Sequence, residues 1–144
     1  MIPRRLTRFS PRQLADLQRL IHVLSPGRTL DADTLEQTLR QARLYVVEGE
    51  DGRIVACATL CPFCSPTGPK ASVEDVVVLP EMQGRGLGRR LMLHLLDEAR
   101  TLAPITLQLT SRPSRRAANA LYRQLGFAPK ETNFYKLNIE PATS

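Results

Sequence analysis

The order of elements legible in the sequence predicts an α/β domain of the mixed α+β kind, with a central mixed sheet flanked by about four helices. Three observations carry the prediction. Helical and strand periodicities alternate along the chain, with no linker or internal repeat between them. The run from Ala71 to Leu79 is rich in valine and too apolar for an exposed edge, so it marks a central strand. The chain has 144 residues, the length of one domain around one core, so a single domain over residues 1–144 is expected.

Each element has its own signal. Arg4 to Phe9 reads weakly as a strand. Ser10-Pro11-Arg12-Gln13 then reads as a helix start, with Ser10 as N-cap, Pro11 at the first helical position and Gln13 closing a capping box. Leu14, Leu17, Leu20, Ile21 and Leu24 follow at helical spacing, and Pro26-Gly27 ends the segment. A second helix begins near Asp31, with Leu35, Leu39 and Ala42 on one face. Tyr45 to Glu48 and Arg53 to Leu60 read as strands around the hairpin signal Asp51-Gly52. Ser65 to Pro69 reads as loop before the central strand. Leu87, Leu91, Leu95, Leu96, Ala99 and Leu102 mark a long amphipathic helix, and Ile105 to Thr110 alternates as a strand. Ser114 is the expected cap of a helix with Ala117, Ala118, Leu121 and Leu125, closed by Gly126. A last strand is expected over about Asn133 to Ile139.

Composition narrows the function classes. Twenty Lys+Arg against fourteen Asp+Glu give a net charge of +6, nearly all of it arginine, whose planar fork suits phosphate. A nucleic-acid binder would concentrate that charge in a salt-sensitive stripe, whereas these arginines are scattered over most elements. Tryptophan is absent and aromatics are few, which argues against a stacking platform for single strands. The N-terminal MIPRRLTRFS has no apolar run behind its basic residues and does not read as a signal peptide. No stretch approaches the ~18 apolar residues of a membrane span. A cytoplasmic protein with no membrane partner is the expectation.

Cys57, Cys61 and Cys64 crowd together, and an odd number without a secretory signal suggests reduced thiols. Cys61-Pro62-Phe63-Cys64 invites a redox or zinc reading. A structural zinc site needs four ligands, and His22 and His94 lie far off in helical surroundings; a redox pair should open a helix, and loop residues follow instead. No metal is expected.

The chemistry concentrates after the central strand. Pro80 stops the ladder, and Gln83-Gly84-Arg85-Gly86-Leu87-Gly88 leads into the long helix. Three glycines at alternate positions remove Cβ atoms where the first helical amides are unpaired. Those amides and the positive end of the helix dipole suit a phosphate or pyrophosphate, with Arg85, Arg89 and Arg90 adding charge. A nucleotide P-loop, GxxxxGK followed by Ser or Thr, is not present. The dinucleotide fingerprint GxGxxG fails because Arg89 stands where its third glycine belongs.

Gln83, Gly86 and Gly88 fit instead the pattern Q/R-x-x-G-x-G/A, and here the sequence resembles the GCN5-related N-acetyltransferase (GNAT) superfamily. The resemblance extends over about Ala71 to Ile139. Glu74-Asp75-Val76-Val77-Val78-Leu79-Pro80 resembles the family's fourth strand, and Leu109-Thr110-Ser111 its fifth. Ala118 to Phe127 is similar to its second signature, A-x-x-x-Y-x-x-x-G-F. The first 70 residues, which usually shape the acceptor site, match only in element order.

The resemblance implies the GNAT fold, acetyl-CoA as cosubstrate and a primary-amine acceptor, either a small molecule or a protein amine. A homodimer is compatible with it. Two parallel strands splay apart in this family, and the pantetheine arm lies in the gap. By resemblance Val76 and Val78 would supply backbone to the arm, and an amide near Val77 would face the thioester oxygen. Gln83, Gly84, Arg85, Gly86, Leu87, Gly88 and Arg89 would hold the pyrophosphate. Tyr122 matches the family tyrosine that protonates the departing thiolate, and Asn119, one turn earlier, matches a residue on the CoA arm. Glu74 is the candidate general base, through water, with Asp75 expected on the opposite face of the strand.

Bland readings stand beside these. Val76 to Val78 are also core valines, Tyr122 could pack its ring with its hydroxyl at the surface, and Glu74 could pair with a nearby arginine. The rival function is a non-catalytic acyl-CoA-binding module, which would not require a proton donor at Tyr122. The Glu-Asp-Val-Val-Val run is also similar to the glucosamine-6-phosphate acetyltransferase branch, which would imply a phosphorylated acceptor met by Arg112, Arg115 and Arg116.

Overall fold

The structure, a computed structural model, describes residues 1–142. The chain forms two compact units, Met1–Thr110 and Ser111–Ser144.

The first unit is built on a five-stranded sheet in the order β1-β2-β3-β4-β5: Arg4–Leu6, Arg43–Glu48, Ile54–Ser65, Gly68–Val78 and Thr106–Gln108. β1 to β4 pair antiparallel, and β5 joins β4 in parallel. That parallel step is made through helix α3, Leu87–Arg100, as a crossover requires. Helices α1, Pro11–Leu24, and α2, Ala32–Gln41, precede β2.

The two faces of the sheet carry different helices. Leu44, Cys57 and Thr59 share a cavity with Leu17, Ile21 and Leu35 of α1 and α2. On the other face the Tyr45 ring stands edge-on to His94 of α3, with centroids 5.3 Å apart. Alternation along β2 and β3 serves both, so Leu44 to Val47 and Ile54 to Leu60 are buried almost without interruption.

The helix starts follow the local chemistry. Ser10 Oγ accepts the Gln13 amide at 3.2 Å while Gln13 Oε1 accepts the Ser10 amide at 2.9 Å, the full capping box. Asp31 Oδ1 accepts the Thr34 amide at 2.7 Å at the head of α2, and that bond, with one from the Thr34 side chain, holds the Asp31 carboxyl below its ordinary range. A buried carboxylate clips α1 to the sheet. Asp16 accepts from Arg53 Nε at 2.6 Å and from the Ile54 amide at 3.1 Å, across the β2–β3 connection.

Two strand expectations change. β3 and β4 run on past Leu60 and Ala71 to meet at Ser65 and Gly68, so the expected loop shrinks to Pro66-Thr67 between paired residues. Gly68 at φ 115° supplies the left-handed step that closes so short a turn. The pairing of Phe63 with Lys70 and Cys64 with Pro69 overrides the prolines' reputation as breakers, because a proline at a hairpin end gives up few ladder bonds.

The second unit contains α4, Arg116–Gln124. Its N-cap is Arg115 rather than Ser114, and no side chain caps it. Gly126, at φ 100°, ends the turn that follows. The strand expected over Asn133 to Ile139 is not formed among the described residues. Phe134, Tyr135, Leu137 and Ile139 alternate with polar residues yet stand 73–87% exposed. A strand exists only by pairing, and no neighbouring strand takes up their backbone.

Candidate active site

β4 carries the site because its two edges are not equally filled. β3 follows it from Gly68 to Val78. β5 follows it only over Lys70, Ala71 and Ser72. Beyond Ser72 the β5-facing edge of β4 has no strand partner among the described residues. The Leu79 amide donates to Val55 O at 2.9 Å, so residues in register with Leu79 turn their backbone toward β3. Alternation then directs Val76 and Val78 to the open edge and Val77 to β3. The Val78 carbonyl indeed points outward, accepting from Gln83 Nε2 at 3.2 Å.

That hydrogen bond ties the open edge to the glycine loop. Pro80–Met82 makes one 3-10 turn, and Gly84 and Gly86 then adopt φ of 80° and 76°. These are left-handed values that a residue with a Cβ adopts at a cost. Gly86 is the N-cap of α3 and offers no side chain, so the Leu87 and Gly88 amides at the helix start have no capping acceptor. A Cβ on Gly84 or Gly86 would meet nothing within 4 Å, so it is open space that these glycines face. Gly88 lies over β4, where a Cβ would stand 3.9 Å from Val78 Cγ2. Arg85 and Arg89 are exposed beside the loop, and Leu87 is buried as its anchor. An anion at the left-handed loop and uncapped helix start, continuing into an extended arm along the open edge, fits these residues.

A kink in β4 shapes the opposite side of the strand. Cys57 pairs with Val77 and Thr59 with Glu74, so two residues of β4, Asp75 and Val76, oppose the single residue Ala58. Asp75 takes φ 53°, the one non-glycine residue at positive φ among those described. This is a β-bulge, and it corrects the expected placement of Asp75. Regular alternation would send Glu74 and Asp75 to opposite faces. Instead Glu74 shares the face of its partner Thr59, and Asp75 lines the same cavity as Thr59 and Cys57. Two carboxylates thus meet on the α1–α2 face. Burial, then the negative charge of Glu74, raises the Asp75 pKa, against the opposing pull of Arg28. Glu74 itself is exposed and accepts from Ser72 Oγ at 2.5 Å, not from an arginine.

Cys57 and Cys61 neighbour this bulge, while Cys64 lies toward the hairpin end opposite Pro69. Cys57 is buried, its thiol 3.8 Å from the Asp75 carbonyl, and burial followed by the Asp75 charge pushes its pKa up to about 12. Burial, then Glu74 and Asp75, raises Cys61 as well. Cys61 and Cys64 stand three apart in a regular stretch of strand and so face opposite sides. Among the described residues no group of three or more His, Cys, Asp or Glu could hold a metal.

In the second unit, Tyr122 is half-buried with its ring edge-on to Phe127, centroids 6.0 Å apart. Burial raises its pKa, partly countered by Arg115. Its hydroxyl makes no side-chain hydrogen bond among the described residues. Asn119 Nδ2 donates to Arg112 O at 3.0 Å and so ties α4 to the segment before it. The cavity and the bulge are what sequence reasoning missed. The only available signal for the bulge was the adjacent Glu74-Asp75 pair inside an otherwise apolar strand.

The sequence profile of the acetyltransferase (GNAT) family matches residues 12–127. The chain belongs to that family. Over 68 residues it is 46% identical to the ribosomal protein bS18-alanine N-acetyltransferase of Salmonella typhimurium, a match covering 46% of each protein. The chain thus spans about half the length of the curated relatives it matches. It is also similar to the solved structure of a Trypanosoma brucei acetyltransferase, with TM-score 0.79 and 25% identity, over 95% of this chain and 98% of that one. The structure of a ribosomal-protein-alanine N-acetyltransferase from Brucella melitensis aligns with TM-score 0.75 over 96% of this chain and all of the other. At 20% identity that likeness shows the GNAT fold alone.

Proposed function

We propose that this chain is an N-acetyltransferase that transfers the acetyl group of acetyl-CoA to a primary amine by direct attack in a ternary complex. One observation carries the reading. The β5-facing edge of β4 opens after Ser72, and the open stretch leads, through the Gln83–Val78 hydrogen bond, straight into the left-handed glycine loop. A thioester arm laid on the Val76 and Val78 backbone would therefore end with its pyrophosphate at Leu87 and Gly88, flanked by Arg85 and Arg89.

The cosubstrate supplies an acetyl group activated as a thioester. The amine nitrogen forms a bond to the acetyl carbon and the C–S bond breaks. The nitrogen gives up one proton and the thiolate sulfur takes one. An outward-facing amide beside Val77 donates to the developing oxyanion. Glu74 receives the amine proton through water, and Tyr122 protonates the thiolate with Asn119 beside it on α4. The raised pKa of Tyr122 keeps its phenol protonated, the form a donor needs.

The acceptor class follows from the relatives' names only in outline. The Salmonella relative is named for acetylating a ribosomal protein's alanine, which favours an α-amine over a lysine side chain. The deciding experiment has two readouts. Acetyl-CoA should raise the thermal midpoint of the protein, because a ligand of the native state stabilises it by RT ln(1 + [L]/Kd). Free CoA should then be released with an amine panel. A midpoint shift without release under any amine would leave a binding module in place of the enzyme.

A further inference from the structure

We propose that the acceptor is an amine bearing a small apolar substituent next to its nitrogen, with Asp75 holding the amino group and the α1–α2 cavity taking the substituent. This rests on the acetyltransferase reading and adds to it the chemistry of the amine.

The cavity lies on the α1–α2 face, directly behind the bulge of β4. Leu17, Ile21, Leu30, Leu35 and Leu44 give it an apolar wall. Its volume is about 50 Å³. Since one water needs about 10–15 Å³ measured this way, the space admits a group of roughly three or four non-hydrogen atoms. That is the size of a methyl to isopropyl substituent and well short of an aromatic ring.

The polar side of the cavity is small and specific. Asp75 lines it from an exposed position, as a residue at its mouth does. Thr59 lines it from within, 7% exposed, and its hydroxyl makes no hydrogen bond among the described residues. A threonine hydroxyl both donates and accepts, so it can meet a polar atom of a ligand in the cavity. A cationic amine meets the carboxylate, a polar atom beside it meets the hydroxyl, and the alkyl group fills the leucine wall. Asp75 owes its place to the left-handed backbone, which turns it to the side of Glu74. A proton leaving the held amine therefore finds the Glu74 carboxylate on the same face.

The test is a series of α-amino amides, glycinamide, alaninamide, valinamide and phenylalaninamide, assayed by CoA release with acetyl-CoA present. A second arm uses tripeptides beginning with the same residues, to separate a free small amine from a peptide N-terminus as the source. Alaninamide or valinamide, or the matching peptides, should be the best substrates. Ile21→Ala, which removes a partly exposed wall residue, should move the optimum toward larger groups. Asp75→Asn and Asp75→Gly both tolerate positive φ, so the bulge survives while the charge is lost. Each should raise KM for the amine by about tenfold or more, the worth of a charge-assisted hydrogen bond, with kcat changed less. Their acetyl-CoA-induced midpoint shift should match that of the parent protein.

An optimum at phenylalaninamide, or equal KM values in the Asp75 variants, overturns the proposal. So does a normal midpoint shift with turnover of no amide or peptide in the series, which would leave the cofactor reading intact. Absence of any shift with acetyl-CoA removes the underlying reading itself, and this inference with it.

Discussion

The two halves of β4 belong to one continuous strand, yet they live under different rules. Lys70 to Ser72 are clasped between β3 and β5, and Ala71 is fully buried. Val73 to Val78 keep β3 on one edge and have no strand on the other among the described residues, with a bulge at Asp75 and half-buried side chains at Val76 and Val78. The closed half has every reason to be a stability element. The open half forgoes one ladder of hydrogen bonds, and the proposed thioester arm would take that edge. A strand can thus change occupation along its length when its neighbour stops early.

That contrast breaks most visibly at Ala71. Ala71→Asp buries an unpaired charge between two ladders and should cost about 3–5 kcal/mol, enough to abolish the folded circular-dichroism signal near physiological temperature. Val76→Ala in the open half should cost only about 1 kcal/mol by the same measurement. Equal losses would erase the distinction between the halves.

Tyr122 of α4, in the second unit, should show the reverse pattern, function lost with stability kept. Tyr122→Phe removes one hydroxyl and keeps the ring against Phe127. Its kcat should fall roughly 10²–10⁴-fold, with KM, acetyl-CoA affinity and thermal midpoint nearly unchanged. Because burial raises the phenol's pKa, the alkaline limb it contributes should lie above the ordinary tyrosine range and vanish in the variant. A Phe variant that matches the parent's turnover across pH takes the role away from Tyr122.

A smaller change tests the loop that the open edge feeds. Gly86→Glu places a Cβ at φ 76° and a carboxylate where an anion would approach. The left-handed backbone should cost about 1–2 kcal/mol of stability. The midpoint shift with acetyl-CoA, about 2.7 kcal/mol at 100 times Kd, should disappear. A persisting shift would detach the glycine loop from the ligand.

The cysteines give the smallest effects. Cys61→Ser with Cys64→Ser should leave activity within a few fold, by CoA release, and should displace no metal. Cys57, its pKa near 12, should stay unalkylated by iodoacetamide at neutral pH until the protein unfolds, while exposed Cys64 reacts.

Much of this arrangement was legible in the residues, for local reasons. The capping box at Ser10 and Gln13, the cap at Asp31 and the glycines of 84–88 act within a few residues of themselves. Local chemistry therefore specifies them fully. What escaped depends on distant partners. The β3–β4 hairpin overrides Pro62, Pro66 and Pro69 because register, which no proline reveals, carries the pairing to Ser65 and Gly68. The Phe134 to Ile139 stretch has strand periodicity without a strand beside it. The bulge at Asp75 is a one-residue mismatch between two strands, and a single strand's sequence does not show how its neighbour counts.

The unfilled edge of β4 has a colloidal consequence. Unpaired backbone at strand spacing, flanked by valines, is a template on which a second chain can add. The kink at Asp75 interrupts the flatness such stacking needs, and the paired negative charges of Glu74 and Asp75 repel an identical copy. Acid weakens that defence early, because the Asp75 carboxylate takes up its proton at a higher pH than an ordinary aspartate. Self-association should therefore set in on mild acidification, and a ligand lying along the edge should act as a solubilising strand, protecting the protein in storage as well as in turnover.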